Sequence, residues 1–106
     1  MIKVRVYREG GVLHTLQVDN HGEPLVCSAV SALVLNTINS IEALTAEPFD
    51  LSYKEDGGFI RLHMPYRRKS PKMADSGATL LLASLLLGLE GILAEHPKNI
   101  KICYDD

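Results

Sequence analysis

The sequence has no tryptophan, few aromatic residues (6%) and only two cysteines, Cys27 and Cys103. Two thiols are too few for a disulfide framework, which excludes the disulfide-stapled secreted class and fits a reducing, cytoplasmic compartment. Charge of either sign is not in excess. Eleven basic against thirteen acidic side chains leave a formal net charge of −2, so no global positive field draws the chain to nucleic acid. No apolar core opens the chain: Met1-Ile2-Lys3-Val4-Arg5-Val6 alternates instead, and no signal peptide is expected. The longest apolar stretch, Ala78 to Ala94, is interrupted by Glu90 and falls short of the ~20 residues a bilayer requires, which predicts a buried amphipathic helix and no membrane span. No CxxC or HExxH spacing, internal repeat or low-complexity tract is present. What remains is ordinary globular composition, with 46% hydrophobic and 23% charged residues in 106 positions. That is enough for one core and one domain, residues 1–106, and not for two.

The apolar pattern sets out the elements in turn. Ile2, Val4 and Val6 alternate with Lys3, Arg5 and Tyr7, the period of a half-buried strand. Gly10-Gly11 supplies a turn, and Val12, His14, Leu16 and Val18 alternate on the return to complete a hairpin ending at Asp19-Asn20. From Cys27 to about Leu44 the period becomes helical, through Val30, Leu33, Val34, Thr37, Ile38, Ile41 and Leu44, with Pro24 marking the start and Pro48 the end. Phe49, Leu51 and Tyr53, then Asp56-Gly57-Gly58, then Ile60, Leu62 and Met64 form a second hairpin. A basic, proline-containing loop, Pro65 to Lys72, carries Arg67, Arg68, Lys69 and Lys72 without interleaved aromatics and is a weak nucleic-acid signal. Asp75 or Ser76 is placed to cap a leucine-rich helix that stops near His96-Pro97, and Ile100, Ile102 and Tyr104 finish as a strand. The expectation is α/β (α+β): a single-domain sheet of about five strands covered by two helices, in the order ββαββαβ. The leucines Leu80, Leu81, Leu82, Leu85, Leu86, Leu87, Leu89 and Leu93 encircle much of the second helix, more than one sheet face can cover, and a homodimer is expected.

Chemistry concentrates where the first hairpin gives way to the first helix. Asn20-His21-Gly22 is followed closely by Val26-Cys27-Ser28-Ala29-Val30-Ser31. A thiol at a helix start meets unpaired N–H groups and the positive end of the macrodipole, which favour an anion, and a nearby imidazole can take its proton. Cys27 and His21 are therefore the candidate nucleophile and base. The plain alternative is a cysteine that only packs and a histidine that only sits in a loop. Ser31, one turn beyond Cys27, shares its helix face and is a candidate substrate contact, or else bonds a backbone carbonyl. Cys103, opposite in parity to Ile100, Ile102 and Tyr104, is assigned no chemistry. His14 shares a face with apolar residues as a satisfied, partly buried histidine. His63 stands at a strand end and His96 at a helix C-terminus. A zinc site from His14, His21, Cys27 and His63 lacks any ligand spacing, and no metal is expected.

The run Leu25-Val26-Cys27-Ser28-Ala29-Val30-Ser31-Ala32-Leu33, with His21 before it and Gly88-Leu89-Glu90-Gly91-Ile92 and His96-Pro97 after it, resembles the ribosomal-processing cysteine protease (Prp) family over nearly the whole chain. The resemblance implies a Cys–His catalytic pair, here Cys27 and His21, with Ser31 matching the serine one turn on. It implies no cofactor. The implied substrate is the N-terminal extension of a large-subunit ribosomal protein, number twenty-seven, removed so that the subunit matures; a homodimer agrees with the family. Two features depart from its pattern. Asn20 and Gly22 stand where the family usually has Gly and Ala, and only Gly22-Glu23-Pro24-Leu25-Val26 connects His21 to Cys27, shorter than a glycine-containing loop. The implied function is a cytoplasmic cysteine endopeptidase whose helix-start N–H groups stabilise the oxyanion. The rival is a non-enzymatic ribosome-associated binding protein of the same fold.

Overall fold

A computed structural model of the chain describes residues 1–65 and 77–105. The elements run β1 (Ile2–Glu9), β2 (Val12–Asp19), α1 (Pro24–Leu44), β3 (Asp50–Tyr53), β4 (Phe59–His63), α2 (Gly77–Glu95) and β5 (Ile100–Asp105). This is the expected ββαββαβ order, an α+β fold. The five strands form one sheet ordered β3-β4-β2-β1-β5, in which only β1 and β5 run parallel.

Gly10 and Gly11 both take left-handed φ, +59° and +79°, which gives the first hairpin the mirror-image turn that matches strand twist. Alternation along β1 buries Ile2, Val4 and Val6 as expected. Along β2 it does not hold throughout. Tyr7 pairs with Thr15 but Arg8 pairs with Leu13, so His14 is an extra residue in a β-bulge. One inserted residue reverses the parity beyond it, and Leu13 rather than Val12 enters the core. His14 is buried all the same, with Nδ1 2.7 Å from the Thr15 hydroxyl.

Both helices pack on the face formed by Ile2, Val4, Val6, Leu16, Leu62 and Ile100. From α1 come Val26, Val30, Val34, Ile38 and Ile41, and from α2 Ala78, Leu82, Leu85 and Leu89. By length and composition alone either helix is able to cross a membrane, yet each lays one stripe into this shared core. The helices come close at Gly88, where a Cβ would lie 2.9 Å from Leu33 Cδ1. The start of α2 is tied back by Glu47, whose carboxylate accepts the Ala78 N–H at 3.1 Å. Asp75 and Ser76, expected to cap this helix, lie outside the described residues, as does the basic loop from Arg67 to Lys72. The ring of leucines resolves into faces: Leu82, Leu85 and Leu89 are buried, while Leu80 and Leu87 stay 71% and 70% exposed.

Candidate active site

Strand β2 ends in a sharp change of direction. Asn20 has φ +73°, left-handed, which among L-residues asparagine tolerates best, and its N–H donates to Gly58 O at 2.9 Å. The chain then crosses the start of β1. A Cβ on Gly22 would sit 2.7 Å from Ile2 Cγ1, so glycine here lets the backbone pass directly over a core side chain. Between these two residues the exposed His21 ring leans on the β3–β4 turn. A Cβ built on Gly57 would lie 3.4 Å from His21 Cε1, and one on Gly58 3.5 Å from Nε2. That turn is itself braced: Gly57 has φ +81°, and Gly58 N–H donates to Asp56 Oδ1 at 2.8 Å.

Helix α1 starts earlier than its hydrophobic period suggested. Glu23 is the N-cap and Pro24 the first helical residue, which places Cys27 a turn into the helix. The Glu23 carboxylate accepts from Leu25 N–H at 3.2 Å and Val26 N–H at 3.1 Å, and its carbonyl accepts from Cys27 N–H at 2.8 Å. The expectation that these first-turn N–H groups serve an oxyanion is therefore corrected: they are satisfied within the chain.

Cys27 and Ser31 lie on the flank of α1 beside its buried ridge. Cys27 is half-buried and Ser31 exposed. Both open onto one pocket of about 190 Å³, walled by Asn20 at the end of β2, Val30 and Leu35 of α1, and Tyr53, Lys54, Gly57 and Phe59 of the β3–β4 hairpin. The structure thus brings Cys27 and Ser31 onto one pocket, while His21 lies against Gly57 and Gly58 of the turn whose Gly57 forms part of the wall, and is not itself a lining residue. Sequence pattern alone did not anticipate that Asn20 and Gly57 wall the pocket, that Glu23 caps α1, or that Gly57 and Gly58 lie against His21. Their signals were a left-handed-prone asparagine after a strand, an acidic residue before a helix-starting proline, and paired glycines facing a histidine.

The other singled-out residues sit elsewhere. His14 and His63 share the Thr15 hydroxyl, each with Nδ1 at 2.7 Å. One hydroxyl proton between two ring nitrogens gives the imidazoles different tautomers, a satisfied structural network. Cys103 is half-buried and pairs with Arg5 in the neighbouring strand, of opposite parity to Ile100 and Ile102. Among the described residues, no three His, Cys, Asp or Glu side chains gather to hold a metal ion.

The chain is similar to the ribosomal processing cysteine protease Prp of Staphylococcus aureus strain Mu50, at 28% identity over 97% of this chain and 96% of that one. It is also similar to that of Bacillus subtilis strain 168, at 32% identity over 77% and 71%. The crystal structure of the S. aureus protease with a covalently linked product peptide superposes with a TM-score of 0.86 and 28% identity, covering 99% of this chain and all (100%) of the other. A second S. aureus structure, with a substrate peptide, gives 0.85 at 28% identity, over 99% and 100%. The sequence model of the family described as cysteine protease Prp matches residues 1–101, and the chain belongs to that family.

Proposed function

We propose that this protein is a cysteine endopeptidase that removes the N-terminal extension of a large-subunit ribosomal protein, with Cys27 as nucleophile and His21 as base. The observation that supports this is that Cys27 and Ser31 line one pocket open to solvent together with Asn20 and Gly57, the neighbours of His21 in sequence and in space. His21 takes the thiol proton, Cys27 Sγ attacks the scissile carbonyl, and the imidazolium returns the proton to the leaving amine. Water then hydrolyses the thioester. Ser31, i+4 from Cys27, is within reach of a bound peptide. Every step uses side chains of the chain itself. Family membership favours this over a non-enzymatic ribosome-associated binding protein of the same fold.

The proposal includes a cytoplasmic location, where the ribosomal substrate is made, and a homodimer. Leu80 and Leu87, two turns apart on α2, present an exposed apolar strip that a second copy would cover. Sedimentation equilibrium at tens of micromolar protein should show a dimer, and a monomer throughout would remove that part. The central test is co-expression with the organism's own extended ribosomal protein. Wild-type protein should yield the shortened N-terminus and Cys27→Ala should not; full processing by Cys27→Ala would overturn the protease assignment.

A further inference from the structure

We infer that the free edge of β3 is a docking strand for the substrate's main chain, which pairs with Leu51 and Tyr53 on its way to Cys27; this rests on Cys27 being the nucleophile. Strand β3 is last in the sheet order on its side, so one of its edges has no neighbouring strand. All four of its residues, Asp50–Tyr53, are exposed. Unpaired main-chain N–H and C=O groups along such an edge are a template for another extended chain.

The ladder decides which groups those are. In an antiparallel pair, opposite residues alternate between exchanging both hydrogen bonds and exchanging none. Asn20 N–H donates to Gly58 O at 2.9 Å and Met64 N–H to His14 O at 2.8 Å, so Gly58, Ile60, Leu62 and Met64 bond toward β2. The residues between them bond toward β3. Lys54 N–H donates to Phe59 O at 3.0 Å, and the register carries the same pairing to Ser52 with Arg61 and Asp50 with His63. Leu51 and Tyr53 stand at the intervening, non-bonded pairs with Leu62 and Ile60. Their N–H and C=O groups therefore point off the sheet, two donors and two acceptors about 7 Å apart along the strand.

This edge is continuous with the site. Tyr53 lines the Cys27 pocket, and so does Leu35, eight residues beyond Cys27 and about 12 Å further along α1. That length holds about three to four extended residues of a peptide. Opposite residues share a sheet face, so Leu51 and Tyr53 stand on the helix-bearing side with Leu62, and with Leu35 they offer exposed apolar side chains to the peptide's own. The two edges of the sheet differ in protection. Strand β5 carries Lys101 and Asp105, charges that discourage edge pairing, whereas β3 has no lysine or proline and only Asp50, at its start.

The test uses the full chain and a peptide spanning the cleavage site. N-methylation of that substrate removes one main-chain N–H at a time. Pairing with β3 predicts a period of two on one side of the scissile bond: positions that donate to the edge raise KM about 3- to 10-fold each, and the positions between them leave it unchanged. Leu51→Pro removes an outward N–H while sparing the β3–β4 ladder, as proline does in an edge strand. It should raise KM by a similar factor with kcat little changed, and iodoacetamide should alkylate Cys27 at the wild-type rate. Thermal unfolding shows whether Leu51→Pro is folded, and where it is not, the N-methyl scan on wild-type protein decides alone. A scan without the two-residue period overturns the inference, as does an unchanged KM in folded Leu51→Pro. A wild-type dimer that Leu51→Pro turns monomeric with KM unchanged gives the edge to a second copy and overturns it equally. Any of these with Cys27→Ala inactive leaves the protease assignment standing, whereas an active Cys27→Ala removes both.

Discussion

Cys27 and Cys103 make an instructive pair. Both are free and half-buried, so neither burial nor oxidation state separates them. Cys103 lies in β5 in a shallow concavity walled by Lys3, Arg5, Tyr7 and Asp105, all from the adjacent parallel strands β1 and β5. Three separate elements meet around the Cys27 pocket: the strand end at Asn20, the α1 flank with Ser31, and the β3–β4 hairpin with Gly57. Placement in the first turn of a helix, the usual reason to suspect such a cysteine, is not the distinguishing feature, because Glu23 already satisfies that turn. A site arises where side chains from distant parts of the chain converge on a thiol that a substrate can reach.

The largest effects test that contrast directly. Cys27→Ala should abolish cleavage and Cys103→Ala should leave it near wild type, read from product formation with the purified proteins. Loss of activity in Cys103→Ala alone would invert the comparison. His21→Ala should lower kcat by about 10²–10⁴-fold, since the thiol loses its proton acceptor. The double variant Cys27→Ala/His21→Ala should be no worse than Cys27→Ala, because groups serving one chemical step are not additive. Near-normal activity of His21→Ala would mean that another group serves as base.

Element order was legible because it rests on short-range pattern, and the shared helix flank of Cys27 and Ser31 follows from the period of α1. Alternation reveals strands, a 3.6-residue period reveals α1 and α2, and glycine pairs reveal turns. The bulge at His14 was not legible, since one extra residue is decided by pairing with β1 and not by β2 itself. Nor was the occupation of the α1 N-terminus by Glu23. Pro24 signalled a helix start, but the hydrophobic period begins only after it, so Cys27 looked closer to the end than it is. The meeting of His21 with Gly57 and Gly58 spans more than thirty positions of sequence and follows from the sheet order that sets β4 beside β2.

Effects of middle size concern how the strand end is held. Gly22→Ala would bring a methyl group within 2.7 Å of Ile2 Cγ1, and Ile2 is a core residue. Overpacking of this kind costs about 1–3 kcal/mol, so thermal unfolding should shift downward measurably. The strain falls on the segment between His21 and α1, so kcat should drop with stability, whereas a surface change such as Lys101→Ala on β5 should alter neither. A Gly22→Ala protein as stable and active as wild type would show that Ile2 moves aside freely.

The smallest effect belongs to the Cys103 side of the molecule. Next in β5, the Tyr104 hydroxyl donates to Glu90 Oε2 of α2 at 2.5 Å, and the Arg8 guanidinium lies 5.1 Å from the ring centroid. The hydrogen bond to Glu90, aided by burial and by the Glu90 charge, raises the phenol above its usual 10, with Arg8 opposing. A phenol whose folded pKa is raised is favoured in its protonated form. Its contribution is therefore fully present below pH 10 and is lost as pH climbs through the folded value. Tyr104 is 44% exposed, so solvent screens the contribution and it stays small. Tyr104→Phe should unfold slightly below wild type at neutral pH and converge with it or cross it at strongly alkaline pH, where the wild-type phenolate repels Glu90. Cleavage should be unchanged, because β5 contributes nothing to the Cys27 pocket. A constant gap between the two unfolding curves across that range would show that the Tyr104–Glu90 bond does not couple α2 to β5, and a loss of cleavage would tie the two cysteine neighbourhoods together after all.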